Sequence, residues 1–191
     1  SATKQYFVLA GYAGCVDPST VIMTEFGDMT LDEIFDYGGM PKDVLDFSTW
    51  LGKPLKVFTH NHRWREIQRT YVTDVKDGFH IILECGREIK CSIDHPLMVS
   101  VEPTLSGKLI EDLMRTFDWV RASNIRIGHH IQTFDLPISS GKVVSITPIR
   151  QRFFDIEVEE DSSFIGNGIF NHNTGKSTII ESLVNELRSR V

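Results

Sequence analysis

The sequence predicts a mostly β protein with few short helices, and three observations carry that reading. Short apolar runs split by Gly, Pro, Asp and Asn recur from about residue 21 to residue 159, the pattern of many short strands joined by turns. Helix signals are scarce in the same stretch. The two ends do not match the middle: a strand entering a glycine-rich loop opens the chain, and an amphipathic helix closes it.

In chain order, QYFVLA (5–10) reads as a buried strand running into GYAG (11–14). VIMTEFG (21–27) is the next strand, and Thr30-Leu-Asp-Glu33 is a capping box opening a short helix to about Tyr37, because Ser/Thr and Glu three residues apart satisfy each other's backbone N–H groups. Strands follow at LKVFTH (55–60), QRTYVTDV (68–75), FHIILE (79–84), REIKCSI (87–93) and HPLMVSV (95–101). LECGREIKC (83–91) reads as a hairpin turning near Gly86-Arg87. Residues 101–118 suggest a loop with a helical turn, and RASNIRIG (121–128) one more turn. HHIQTF (129–134), KVVSIT (142–147) and FFDIEVE (153–159) are further strands, with His129-His130 at a turn after Gly128 and DLPISSGK (135–142) as a loop. At the far end Ile179, Ile180, Leu183, Val184 and Leu187 recur at helical spacing within 177–190. There is no internal repeat and no low-complexity segment.

The 191 residues suit one compact domain with short tails. A net charge of −6 supplies no basic field for nucleic acid or an anionic membrane. No apolar run approaches the roughly 20 residues that span a bilayer. The N-terminus is a poor secretory signal, and three cysteines, Cys15, Cys85 and Cys91, form neither a disulfide framework nor a metal motif. A cytoplasmic monomer is expected, with both Cys85 and Cys91 buried. His60-Asn61-His62 spells the letters of an HNH nuclease, but neither it nor His129-His130 belongs to a complete ligand set, so no metal site is expected.

TGKST (174–178) is the second half of a phosphate-binding loop, which requires Gly, four residues, then Gly-Lys-Ser/Thr. Five positions before Gly175 stands Phe170. Joining Gly14 directly to Thr174 repairs the motif, because Gly11 then precedes Gly175-Lys176-Ser177 by the required spacing, after a strand and before a helix. In such a loop the backbone N–H groups cradle phosphates, the Lys meets the terminal phosphates and the Ser holds Mg²⁺. The chain therefore divides into 1–14, an inserted 15–173, and 174–191.

The insert begins at Cys15 and ends at His172-Asn173, followed by Thr174. Those residues, with CVDPSTVIMTEFGDMTLDEI at its start, GREIKCSIDHPLMV in its middle and RFFDIEVEEDSSFIGNGIFNHN at its end, resemble an intein, a self-splicing domain of the Hint superfamily. The resemblance covers all of 15–173 and implies a compact, horseshoe-like β domain of mini-intein size, without a homing endonuclease domain, flanked by short extein segments. It implies autocatalytic splicing with the chain's own exteins as substrate and no cofactor. The joined host, similar to a P-loop helicase, would take ATP and Mg²⁺.

The residues themselves support this chemistry. The thiol of Cys15 lies beside the carbonyl of Gly14, and attack would convert the amide to a thioester. His95 is the candidate proton donor to the scissile amide and Ser92 its hydrogen-bond partner; both match the family's Thr-x-x-His, with Ser in place of Thr. Thr174 then accepts the acyl group on its hydroxyl. An alcohol is a far weaker acid than a thiol, so it needs activation or close positioning, a role the resemblance gives to Asp155. The side-chain amide of Asn173 closes on its own carbonyl as a succinimide, with His172 donating a proton. Another family His falls near Ser162, where this chain has Ser. Two other readings remain open: a Hint-type domain that cleaves without ligation, and a nucleotide-binding module with an inert β insertion.

Overall fold

The computed structural model describes residues 14–45, 47–50, 52–100, 117–135 and 139–173. The expectations for 5–13, 101–116, 136–138 and 174–191, and with them Gly11, Thr174, Gly175, Lys176 and Ser177, lie outside the described residues.

Fourteen strands form one continuous hydrogen-bonded array: β1 (Val21–Thr24), β2 (Gly27–Thr30), β3 (Phe47–Trp50), β4 (Lys56–Phe58), β5 (Trp64–Val72), β6 (Lys76–Leu83), β7 (Glu88–Ser92), β8 (Pro96–Ser100), β9 (Phe117–Arg121), β10 (His130–Thr133), β11 (Ser139–Gln151), β12 (Phe154–Val158), β13 (Ser163–Gly166) and β14 (Ile169–His172). Among the described residues one α-helix, α1 (Leu31–Gly38), and one 3-10 turn (Ala122–Asn124) interrupt them. The mostly β expectation holds.

The main path runs β12-β5-β4-β1-β13-β14-β8-β10-β11-β6-β7, with β2, β3 and β9 attached to β1, β5 and β8. Val16 bridges the two ends of that path, pairing antiparallel with Phe154 of β12 and with Cys91 of β7. Cys15 and Val16 therefore sit between the first and last strands of the array.

Helix α1 forms as its capping box predicts. Thr30 Oγ1 accepts from the Glu33 N–H at 3.1 Å, and Glu33 Oε1 accepts from the Thr30 N–H at 3.3 Å. Gly39 ends the helix in the left-handed conformation at φ 65°, where a residue with a Cβ is strained. Leu31, Ile34 and Phe35 are fully buried, and the Phe35 ring meets Phe154 at a centroid distance of 4.5 Å. At about 1.5–3 kcal/mol for each large apolar side chain removed from water, this face anchors α1 on β12.

Three sequence expectations need correction. Cys85 is exposed, because it lies in the turn that joins β6 to β7; Cys91, inside β7, is buried as expected. DLPISSGK is not loop throughout: 139–142 belong to β11, where Ile131 pairs with Gly141 and Gln132 with Ser140. His130 opens β10 rather than sitting in a turn.

Strands β13 and β14 escaped the strand expectations although their signal is present. Asn167-Gly168 joins them with φ of 53° and 72°, the double left-handed geometry that makes Asn-Gly the favoured two-residue hairpin turn. Among the described residues no helix is long and apolar enough to cross a membrane.

Candidate active site

Cys15 is fully buried and is held on both sides by backbone pairing. On the β7 side the Cys15 N–H donates to Ser92 Oγ at 2.9 Å, and the Ser92 N–H donates to the Cys15 carbonyl at 2.9 Å. On the β12 side Val16 and Phe154 exchange both backbone hydrogen bonds, at 2.8 and 2.7 Å. That antiparallel register, carried one residue back, sets Cys15 opposite Asp155. Asp155 is 1% exposed and pairs on its other side with Tyr71 of β5. Cys15 packs with Tyr71 and Phe153 in a small apolar cluster. Cys15 thus sits fully buried between β7 and β12, its N–H on the Ser92 hydroxyl and its side chain among Tyr71 and Phe153.

His95 follows Ser92 in the tight turn between β7 and β8, its N–H donating to the Ser92 carbonyl at 3.1 Å. Its ring is buried and meets two groups. Nε2 lies 2.8 Å from Asn171 Oδ1 on β14. Nδ1 abuts Gly14: a Cβ added at Gly14 would lie 2.7 Å from Nδ1, 2.5 Å from the His95 Cα and 2.9 Å from Pro96 Cδ. Glycine is what allows the residue before Cys15 to approach the imidazole this closely. The turn carrying Ser92 and His95 consequently touches the N-terminal seam through Ser92 and the C-terminal strand through Asn171.

At the other seam, Asn173 is 1% exposed and its N–H donates to the Ser162 carbonyl at 2.9 Å. Neither Nδ2 nor Oδ1 of its side chain has a hydrogen-bond partner among the described residues. His172 precedes it, and burial, followed by the nearby His60, pushes its imidazole down to about 4, with a hydrogen bond to the Asn173 backbone acting the other way. At neutral pH His172 is uncharged.

Two aromatic contacts frame His172. The Trp119 ring stands edge-on to His172 at 4.8 Å and to His60 at 5.3 Å. His60 is tied in turn to Ser163, whose Oγ lies 2.5 Å from His60 Nδ1 and accepts the His60 N–H at 3.0 Å. Ser163 is the strand partner of His172.

The structure therefore gathers Cys15, Ser92, His95 and Asp155 near the Gly14–Cys15 bond, with Gly14 against His95, and it puts His172 and Asn173 at the end of β14. Thr174 lies beyond the described residues. Sequence reasoning missed Asn171, His60 and Trp119. Asn171 and Trp119 have no local signal, since their roles depend on strands that meet from distant parts of the chain. His60 was noticed only as part of a nuclease-like triplet. Cys91, though next to Ser92, is chemically quiet: burial pushes its thiol up to about 12.

No protein-family model matches the chain, and no curated protein matches it. Solved structures do. The crystal structure of the TvoVMA intein aligns over 84% of this chain and 98% of its own, at a TM-score of 0.69 and 17% identity. The PabCDC21-1 intein aligns over 84% and 98%, at 0.67 and 19%. The DnaB intein from Synechocystis sp. PCC 6803 aligns over 84% and 99%, at 0.61 and 18%. With near-complete coverage of each of these domains, the chain has the Hint-type β fold of the inteins.

Proposed function

We propose that this chain splices itself, excising residues 15–173 and joining Gly14 to Thr174. The observation that carries the reading is the single turn, Ser92 to His95, that holds the amide of Cys15 by one residue and reaches β14 by the other. One element thereby couples chemistry at both ends of the insert. The intein fold, matched over a share of the chain close to that of 15–173, supports it.

The sequence of steps is internally balanced. The Cys15 thiol attacks the Gly14 carbonyl carbon; the Gly14–Cys15 amide bond breaks as a C–S bond forms, and the thiol proton is relayed to the departing nitrogen. His95, with Nδ1 against Gly14, is the group suited to carry that proton. Ser92 Oγ fixes the orientation of the amide by accepting its N–H. The Thr174 hydroxyl then takes the acyl group from sulfur, giving a branched ester and returning the thiol. Asp155, opposite Cys15 and buried, is placed to steer this transfer or receive the hydroxyl proton.

Asn173 completes excision. Its side-chain nitrogen attacks its own carbonyl, the bond to Thr174 breaks, and a succinimide forms. Burial of Asn173 and the hydrogen bond from its N–H to the Ser162 carbonyl hold its backbone while the side-chain nitrogen closes on its own carbonyl. Neutral His172 acts on the oxygen or the leaving amine. The ester then rearranges to an amide on the freed Thr174 amine. Its product would be a complete phosphate-binding loop built from Gly11, Gly14, Gly175, Lys176 and Ser177, suited to ATP and Mg²⁺ in a helicase-like host.

The test is intact-mass spectrometry of the purified chain at neutral pH with reductant, beside a chain carrying Asn173→Ala. Splicing yields a joined peptide of 1–14 with 174–191 and a free 15–173 fragment, and the variant yields neither. Separate flanking peptides without a joined one would favour cleavage without ligation. A parent mass that never changes from 21.7 kDa under any pH or thiol condition would refute self-processing.

A further inference from the structure

The geometry points to Asn171 as the positioning residue that selects the tautomer of His95, placing the ring hydrogen on Nε2 and the Nδ1 lone pair toward Gly14. The inference rests on the splicing reading for its consequence, but not for its geometry.

Asn171 is fully buried in the middle of the C-terminal hairpin. Its side-chain nitrogen donates to two backbone carbonyls, Ile169 at 2.8 Å and Gly166 at 3.3 Å. Carbonyls accept only, so both contacts require the NH₂ end there and exclude the flipped amide. Oδ1 is consequently left facing His95 Nε2 at 2.8 Å. An amide oxygen cannot donate, so Nε2 must carry the hydrogen.

The consequence falls on the opposite side of the ring. A neutral imidazole with hydrogen on Nε2 has a lone pair on Nδ1, and Nδ1 is the atom against Gly14. The ring can then take the Cys15 thiol proton at Nδ1 and deliver the same proton to the departing Cys15 nitrogen, with no net gain or loss. With the other tautomer Nδ1 would already be protonated and the neutral ring could not accept at the seam.

The surroundings are built for this amide. A Cβ added at Gly166 would lie 2.8 Å from Asn171 Nδ2 and 2.9 Å from Thr20 Cγ2, so glycine at 166 makes the room that Asn171 occupies. Asn171 is also joined to β8 through its pairing with Leu97, two residues beyond His95. The hairpin that ends at the C-terminal seam thus sets the proton inventory of the N-terminal one.

The experiment uses the full chain with Asn173→Ala, so that cleavage after residue 173 is blocked and release of residues 1–14 reports the first junction. Nitrogen-15 NMR of the histidine rings reads the His95 tautomer, and thiol-induced release of residues 1–14 reads the first step. Hydrogen on Nε2 is expected in this parent. Asn171→Leu should mix the tautomers and slow release at least tenfold. Asn171→Asp keeps an oxygen toward Nε2 and, when protonated, a donor toward Ile169, so it should recover most of the lost rate.

Hydrogen on Nδ1 in the neutral parent, release at the parental rate from Asn171→Leu, or equal loss in the Leu and Asp variants would each overturn the inference. If Asn171→Leu does not fold, the parent spectrum and the Asp variant still decide. A parent with hydrogen on Nε2 but no thiol-induced release at all would instead refute the splicing reading while leaving the tautomer assignment standing.

Discussion

Replacing Gly14 by Ala tests whether the N-terminal seam is seated against His95 as the structure has it. The added Cβ would stand 2.5 Å from the His95 Cα, where ordinary contacts begin at 3.4 Å, so an opening of about 0.9 Å is required. The obstructing atom is backbone in a turn fixed by Ser92 and by the pairing of β8, and cannot rotate away. Overpacking of this kind costs about 1–3 kcal/mol. If the seam escapes by moving off the imidazole, that cost appears as a lower population of the reactive arrangement, about 5- to 150-fold at 1.36 kcal/mol per factor of ten. Thiol-induced release of residues 1–14 from a chain bearing Asn173→Ala measures the loss, and denaturant unfolding of the same chain detects strain retained in the fold. Release within twofold of the parent, together with an unchanged unfolding midpoint, would show that Gly14 does not occupy this position.

Three further outcomes follow from the same geometry. Ser92→Ala removes the acceptor of the Cys15 N–H inside a fully buried site, a loss worth about 1–3 kcal/mol; thiol-induced release should slow by roughly 5- to 150-fold on that basis, and an unaltered rate would remove Ser92 from the first step. Asp155→Ala should leave thiol-induced release at the first seam while abolishing the joined peptide, as read from the ratio of products by mass; equal loss of both would assign Asp155 to the thioester step or to the fold. For pH, the folded His172 sits at about 4, below its ordinary 6.5, so between those values the unfolded chain binds more protons. Its contribution to stability is complete above about 6.5 and is lost as pH falls toward 4. Burial lowers His60 in the same sense, whereas the Arg63 guanidinium holds the Asp161 carboxyl far down, so that its contribution is lost only in stronger acid. Denaturant unfolding across this range should show a flatter pH dependence for His172→Gln than for the parent, and identical slopes would contradict the assignment.

Much of the site was legible because its residues sit in short local patterns at the ends of an interruption. Cys15 and Asn173 are singled out by the break in the phosphate-loop motif, and Ser92 and His95 by their resemblance to the Thr-x-x-His of inteins; the structure packs Cys15, Ser92 and His95 together. What the sequence did not reveal depends on partners far along the chain. Asn171 becomes significant only when β14 is laid beside β8, 76 residues after His95, and Trp119 only when β9 brings it over His172. Residues 139–142 look like loop because Ser and Gly are weak strand formers; pairing with β10 overrides that preference. Cys85 was assigned to the interior on its residue type, but its place in a turn outweighs the usual burial of cysteine. The β13–β14 hairpin was recoverable from Asn167-Gly168 alone.

The two bridges of Val16 bear on when reactivity can begin. Its partners, Cys91 and Phe154, lie far along the chain, and the acceptor of the Cys15 N–H is 77 residues away. A ribosome delivers Cys15 long before either partner exists, and His95 long before Asn171. Until the β13–β14 hairpin emerges and docks, His95 lacks the Asn171 oxygen on which the proposed first step depends. On the splicing proposal the order of synthesis becomes a safeguard: a chain that still lacks the β13–β14 hairpin carries every early reagent without Asn171, and the last of the described strands is the one that arms the first bond.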